Sequence, residues 1–213
     1  MRSVRGWLRL ALLVVGGFGL TTARFALAAQ VNLTEDEFKI YHQYIAALAD
    51  PRVAKLKEAQ RLPAVAKNFK LSQPKLRAIV TKGERWPSIE AMGKDCEDAI
   101  RQAVDGTPLA DRLDHVQVDV GNEHVVSYVS WKAGDLDKLE EEAVLLAAKI
   151  KEAAPITADI RIWAEDVKDN EHKVFDGLVL GEAAGRFREN RIADFAKTRY
   201  LKTFQTAKID RPQ

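Results

Sequence analysis

The chain has 213 residues, with 33 Lys and Arg against 31 Asp and Glu, a formal net charge of +2. It is 46% apolar and holds one cysteine, 12 Gly and 7 Pro. That excludes a disordered tail, a disulfide scaffold and a collagen-like or low-complexity chain, and the length allows one domain or two small ones.

Residues 1–29 have the layout of a secretory signal peptide. Arg2, Arg5 and Arg9 precede an apolar run from Leu10 to Leu20, and Ala26, Ala28 and Ala29 supply small residues for cleavage near Ala28 or Ala29. The run is 11 residues long, short of the roughly 20 that a helix needs to span a bilayer of about 30 Å. The membrane is therefore a partner only through this segment, and only if it stays uncleaved. The segment carries four arginines and no acid, so the mature chain has 29 basic and 31 acidic residues, a net charge of −2. The basicity of the whole chain belongs to the address and says nothing about nucleic acid. The expected location is periplasmic or extracellular, as in bacterial-type export.

Residues 30–108 read as a small helical, basic unit. Thr34 and Glu37 make a capping box for a first helix carrying Phe38, Tyr41, Ile45 and Leu48. Pro51 opens a second helix through about Gln60, and Pro63 opens a third through Asn68 or Phe69. Ser72 caps a fourth that ends near Gly83. Ser88 caps a fifth, with Ile89, Met92, Cys96, Ile100 and Val104 along one face.

Charge is uneven across this half. From Arg52 to Arg85 there are ten basic residues and two acids; from Glu90 to Glu123 there are nine acids and three basic residues. Either the two segments are solvated faces that attract each other on folding, or the basic one is a docking surface built on Lys67, Lys70, Lys75, Arg77, Lys82 and Arg85. The partners such a surface implies are an anionic envelope component, whether lipid headgroup or cell-wall polymer, or an acidic protein.

Within it, Ala66, Lys70, Leu71, Ser72 and Leu76 fall where a helix-turn-helix has its alanine, turn residue, apolar residue, recognition-helix cap and buried aliphatic. Residues 62–82 thus resemble that motif, except that Lys70 stands where it most often has glycine. The resemblance implies that the helix from Gln73 would enter a DNA major groove, with Gln73, Lys75 and Arg77 near the DNA. An exported protein does not meet the chromosome, so the signal segment argues against DNA as the partner.

Residues 109–213 read as an α+β unit packed on the helical one. His115–Val120 alternates, Gly121-Asn122 is a hairpin turn, and Glu123–Trp131 returns. A two-residue turn pairs Val118 with Val125 and Asp119 with His124. One face then holds Val116, Val118, Val120, Val125, Val129 and Trp131. A long helix, Leu136–Ala153, begins with Glu140, Glu141 and Glu142 where its dipole favours acids. A third strand around Ile156–Trp163, a fourth over His172–Leu180, and a terminal helix or helix pair from Glu182 to about Gln205 follow. The expected fold is α+β: a four-stranded, mostly antiparallel sheet in ββαββα order, with helices on one face.

Catalytic signals are sparse. His115, Asp119, His124 and Tyr128 share the polar sheet face, the one constellation resembling an acid/base or metal site. His115 and Asp119 are about 13 Å apart along a strand, too far for one ion with bonds of about 2 Å. Cys96 falls on an apolar stripe, where a free cysteine acts as a small hydrophobe. No metal and no cofactor is expected. The chain reads as an exported, non-catalytic envelope binding or scaffold protein. The alternatives are a metal-dependent or hydrolytic enzyme using the polar sheet face, and an intracellular DNA binder.

Overall fold

The computed structural model describes residues 33–86, 88–121, 124–169, 172–192 and 199–210. The segment expected to be a signal peptide, residues 1–29, with its expected cleavage near Ala28 or Ala29, lies outside the described residues. No helix among the described residues is long and apolar enough to cross a membrane.

Four helices form the N-terminal part: α1 (Glu35–Leu48), α2 (Pro51–Ala54), α3 (Glu58–Asn68) and α4 (Gln73–Gly83). The capping box starts α1, where the Glu37 N–H donates to Thr34 Oγ1 at 3.2 Å and the Thr34 N–H donates to Glu37 Oε2 at 3.1 Å. Tyr44, Val53, Val65, Ala66, Leu76 and Val80 make a small core among these helices. The break between α2 and α3 lies at Lys55–Lys57, not between Gln60 and Pro63, and Pro63 sits inside α3. Side chains explain the earlier break. Arg61 donates to the carbonyls of Ala54 and Leu56 at 3.1 and 3.2 Å, and Gln60 Oε1 accepts from the Lys57 N–H at 3.3 Å. These bonds satisfy groups that a helix end leaves open.

Helix α5 (Ile89–Val104) leads into the sheet half. Its expected stripe is buried at Met92, Cys96, Ile100 and Val104, whereas Ile89 is exposed. There follow β1 (Leu113–Val120), β2 (Val125–Ala133), α6 (Leu139–Ala153), β3 (Asp159–Asp166), β4 (Lys173–Leu180), α7 (Gly181–Ala184), α8 (Glu189–Ile192) and β5 (Thr206–Ile209). The strands form one sheet in chain order. Neighbours are antiparallel except β2 and β3, which are parallel because α6 carries the chain back between them. Helices α5 and α6 cover one face, and the main core joins that face to Leu33, Phe38, Ile79 and Trp86 of the helical part.

The α+β class is as expected, but the sheet has five strands rather than four and the order does not end in a helix. The terminal aromatics do not line a single helix. Phe187 stacks on Tyr200 at 4.7 Å between ring centroids, and Phe204 meets Phe175 of β4 edge-on at 6.3 Å. Anchoring Phe204 there delivers Thr206–Ile209 to the free edge of β4.

The first hairpin also differs in register. Val120 pairs with Val125, Val118 with Ser127 and Asp119 with Val126. The pairing runs on to Gly121 and His124, where the Gly121 N–H donates to the His124 carbonyl at 2.9 Å. Moving the turn by one residue shifts every pairing by two positions, an even step, so every side chain keeps its face. Val116, Val118, Val125, Val129 and Trp131 are accordingly buried.

Candidate functional site

The basic face is built on α3, the turn after it and α4. Leu76, Ile79 and Val80 turn inward, which leaves Gln73, Lys75 and Arg77 outside. Lys67, Lys70 and Arg85 are exposed as well. Lys70 has φ 53°, the left-handed conformation that glycine usually supplies at this turn. The turn therefore forms with lysine in that place, and the Leu71 N–H donates to the Ala66 carbonyl at 3.0 Å across it.

Lys82 stands apart from the other five. It donates to both oxygens of Glu37, at 2.7 and 2.8 Å. Partial burial pushes the Glu37 carboxyl up, but Lys82 and the Thr34 N–H together hold it below the usual carboxylate range. Lys67, Lys70, Lys75, Arg77 and Arg85 form no ion pair among the described residues. Nor does any ion pair among the described residues join the basic segment to the acids that follow Glu90.

The polar sheet face has the opposite character. Lys132 pairs with Glu165 at 2.5 Å and with Asp114 at 3.9 Å, and Arg161 lies 3.7 Å from Asp176. The Lys132 hydrogen bond holds the Glu165 carboxyl low against the effect of its partial burial, and Glu165 in turn raises the Lys132 ammonium. Trp163 lies between the His115 ring, 5.8 Å away, and the Lys173 ammonium, 5.2 Å from its centroid.

The four residues of the polar constellation share this region without converging. His115 is against Trp163. Asp119 accepts from Gln117 Nε2 at 2.8 Å. His124, just before β2, meets Asp159 of the neighbouring β3 at 2.8 Å rather than facing Asp119. Tyr128 pairs with Gln117 on one side and Arg161 on the other. No group of three His, Cys, Asp or Glu side chains among the described residues is placed to hold a metal ion.

A buried polar cluster escaped the sequence reading. Glu142 is not one of a solvated acidic run: it is 7% exposed and accepts from Arg112 Nη2 at 2.5 Å, Arg112 Nη1 at 3.1 Å and Trp131 Nε1 at 2.9 Å. Arg112 also donates to the carbonyls of Pro108 and Lys132, at 3.2 and 3.1 Å. The cluster ties the start of β1 to β2 and α6. A signal was present, since Glu142 lies between Leu139 and Leu146 on the apolar stripe at helical spacing. Both of its oxygens are used, so the cluster has a structural role.

Cys96 is fully buried, and burial pushes its thiol up to about 12, which leaves it unreactive at neutral pH. Lys151 is pushed down by burial and donates to the carbonyls of Pro155 and Thr157, both at 2.7 Å, holding the loop between α6 and β3. No family model matches the chain, and no curated protein or solved structure is found to be similar to it.

Proposed function

We propose that the protein is an exported, non-catalytic envelope protein that docks on an anionic partner through its basic helical face. One observation carries this reading. Lys67, Lys70, Lys75, Arg77 and Arg85 are exposed on adjoining elements and form no ion pair among the described residues, while the charges of the sheet face pair with each other. A surface whose charge is not neutralised internally attracts counter-charge over about one Debye length, roughly 8 Å at physiological salt. The export signal at residues 1–29 supports an envelope destination.

The test is co-sedimentation of the mature chain with phosphatidylglycerol-containing vesicles and with anionic cell-wall polymer, at low and high salt. Association with either one should weaken as salt rises. It should disappear in the variant Lys67→Gln, Lys70→Gln, Lys75→Gln, Arg77→Gln, while folding stability changes by no more than about 0.5 kcal/mol per substitution. Undiminished association of that variant sinks the proposal.

A second reading has its own observation. The left-handed Lys70 completes a tight turn between α3 and α4, and Gln73, Lys75 and Arg77 are exposed at the start of α4. That supports contact with duplex DNA, provided that residues 1–29 do not direct export. Cell fractionation separates the two: a full-length cytosolic chain that binds duplex DNA favours this reading, and a shortened envelope chain removes it.

A further inference from the structure

Lys151 is a half-buried cation in the last turn of α6. Its Nζ donates to the Pro155 and Thr157 carbonyls and to no other acceptor among the described residues. Burial pushes the ammonium down, and Glu35 and Asp36 of α1 oppose that through space without forming an ion pair with it. An ammonium has three N–H donors, so two carbonyls leave one over. A carbonyl is a dipole and not a counter-charge, whereas a charge drawn out of water is normally met by an opposite one.

The backbone around Lys151 is shaped to admit it. A Cβ on Gly181, the first residue of α7, would collide with the Thr157 carbonyl oxygen and lie 2.9 Å from Lys151 Nζ. Glycine there lets the start of α7 close on the loop before β3 while the lysine end stays between them. The Gly181 N–H donates to the Ala158 carbonyl at 2.7 Å, which fixes that approach.

A cleft of about 420 Å³ opens beside it, between α6 and the turn after α7. Three cations line it, Lys149, Lys151 and Arg188, against one acid, Glu152. Lys149 lies 3.6 Å from Glu152, so the excess positive charge falls on Lys151 and Arg188. Arg188 donates through Nη1 alone, to the carbonyls of Gly185 and Phe187 at 3.0 and 3.1 Å. Its Nε and Nη2 have no partner among the described residues. Those two groups form one edge of the guanidinium, and that edge matches two oxygens of a carboxylate or phosphate. The turn that carries Arg188 is anchored by Phe187, which is buried and stacks on Tyr200.

We infer that this cleft binds the carboxylate or phosphate group of a small molecule, held by Lys151 and Arg188. The sign of the ligand follows from the charge, since a neutral ligand would leave both cations without a counter-charge. Its size follows from the volume, which is near the lower end of the roughly 300–1,000 Å³ found for small-molecule pockets. The site is separate from the basic face on α3 and α4.

Calorimetric titration of the mature chain with inorganic phosphate and with acetate, at one ionic strength set by chloride, tests this. Saturable binding of at least one is expected, and the tighter of the two tells phosphate from carboxylate. Arg188→Gln should weaken it about tenfold, and Lys151→Met should abolish it. The variant Lys67→Gln, Lys70→Gln, Lys75→Gln, Arg77→Gln should bind like the parent, which keeps this site distinct from the docking face. Circular dichroism checks that each variant is folded. If Lys151→Met does not fold, Arg188→Gln decides, because that side chain is exposed and bonds only to its own turn. Absence of saturable binding of either anion overturns the inference, as does binding that Arg188→Gln leaves unchanged.

Discussion

The helical half and the sheet half treat charge in opposite ways. On the sheet face Lys132, Arg161 and His124 each lie against a carboxylate, and Lys173 lies over Trp163. Beneath that sheet Glu142 is buried with Arg112 and Trp131. On α3, α4 and their turn, five cations form no ion pair among the described residues. Charge that is paired inside the fold holds the fold. Charge left outside contributes little to stability and is available to a partner. An uneven sequence charge is therefore not enough to locate an interface; what matters is which charges the fold already uses.

The largest expected effect lies on the paired side. Glu142→Ala removes the acceptor of the Arg112 guanidinium and of the Trp131 indole N–H, and should lower unfolding free energy by about 3 kcal/mol in urea denaturation. A loss under 1 kcal/mol would show that the cluster is not structural and would weaken the contrast. The next effect separates charge from backbone at one residue of the unpaired side. Lys70→Gly relieves a left-handed lysine and should raise stability by about 1 kcal/mol, while removing one cation from the proposed docking face. Higher stability with weaker association would sharpen the contrast, because fold and docking would then respond in opposite directions.

The smallest effect is acid titration. The Glu37 and Glu165 carboxyls are held low in the fold, so the stability they contribute is complete above the ordinary carboxylate value of 4.5 and is lost as pH falls through their depressed values. Both pairs lie at the surface, where charge pairs are screened, so each contribution should be small. Thermal unfolding at pH 7 and pH 3 should show the decrease for the parent and a smaller one for Lys132→Met, which has already lost the Glu165 pair. An equal decrease in both would mean that the Lys132–Glu165 pair adds nothing at neutral pH.

Much of the helical half was legible because its signals are local. Thr34, Ser72 and Ser88 cap helices where the sequence places them, and the stripe from Met92 to Val104 is buried. The exception, Pro63, was misread because Arg61 and Gln60 cap the preceding break through their side chains, and helix-start patterns do not encode that. In the sheet half the faces of β1 and β2 were legible from alternation. The register was not, since Gly121-Asn122 resembles a hairpin turn, whereas Gly121 belongs to the paired end. The fifth strand was hidden because its four residues follow aromatics that suggest a helix.

The sequence by itself determined the α+β class, most helix starts, the core faces of the first hairpin and the segregation of charge. Each follows from side-chain period or from contacts within a few residues. Only the tertiary structure decided which charges are used. Glu142 became a buried partner, Lys82 was drawn to Glu37 across 45 positions, and Glu97 and Arg101 came to rest on the edge of β1, at the Val118 N–H and the Val116 carbonyl. Those outcomes depend on which elements pack together, and no local pattern carries that information.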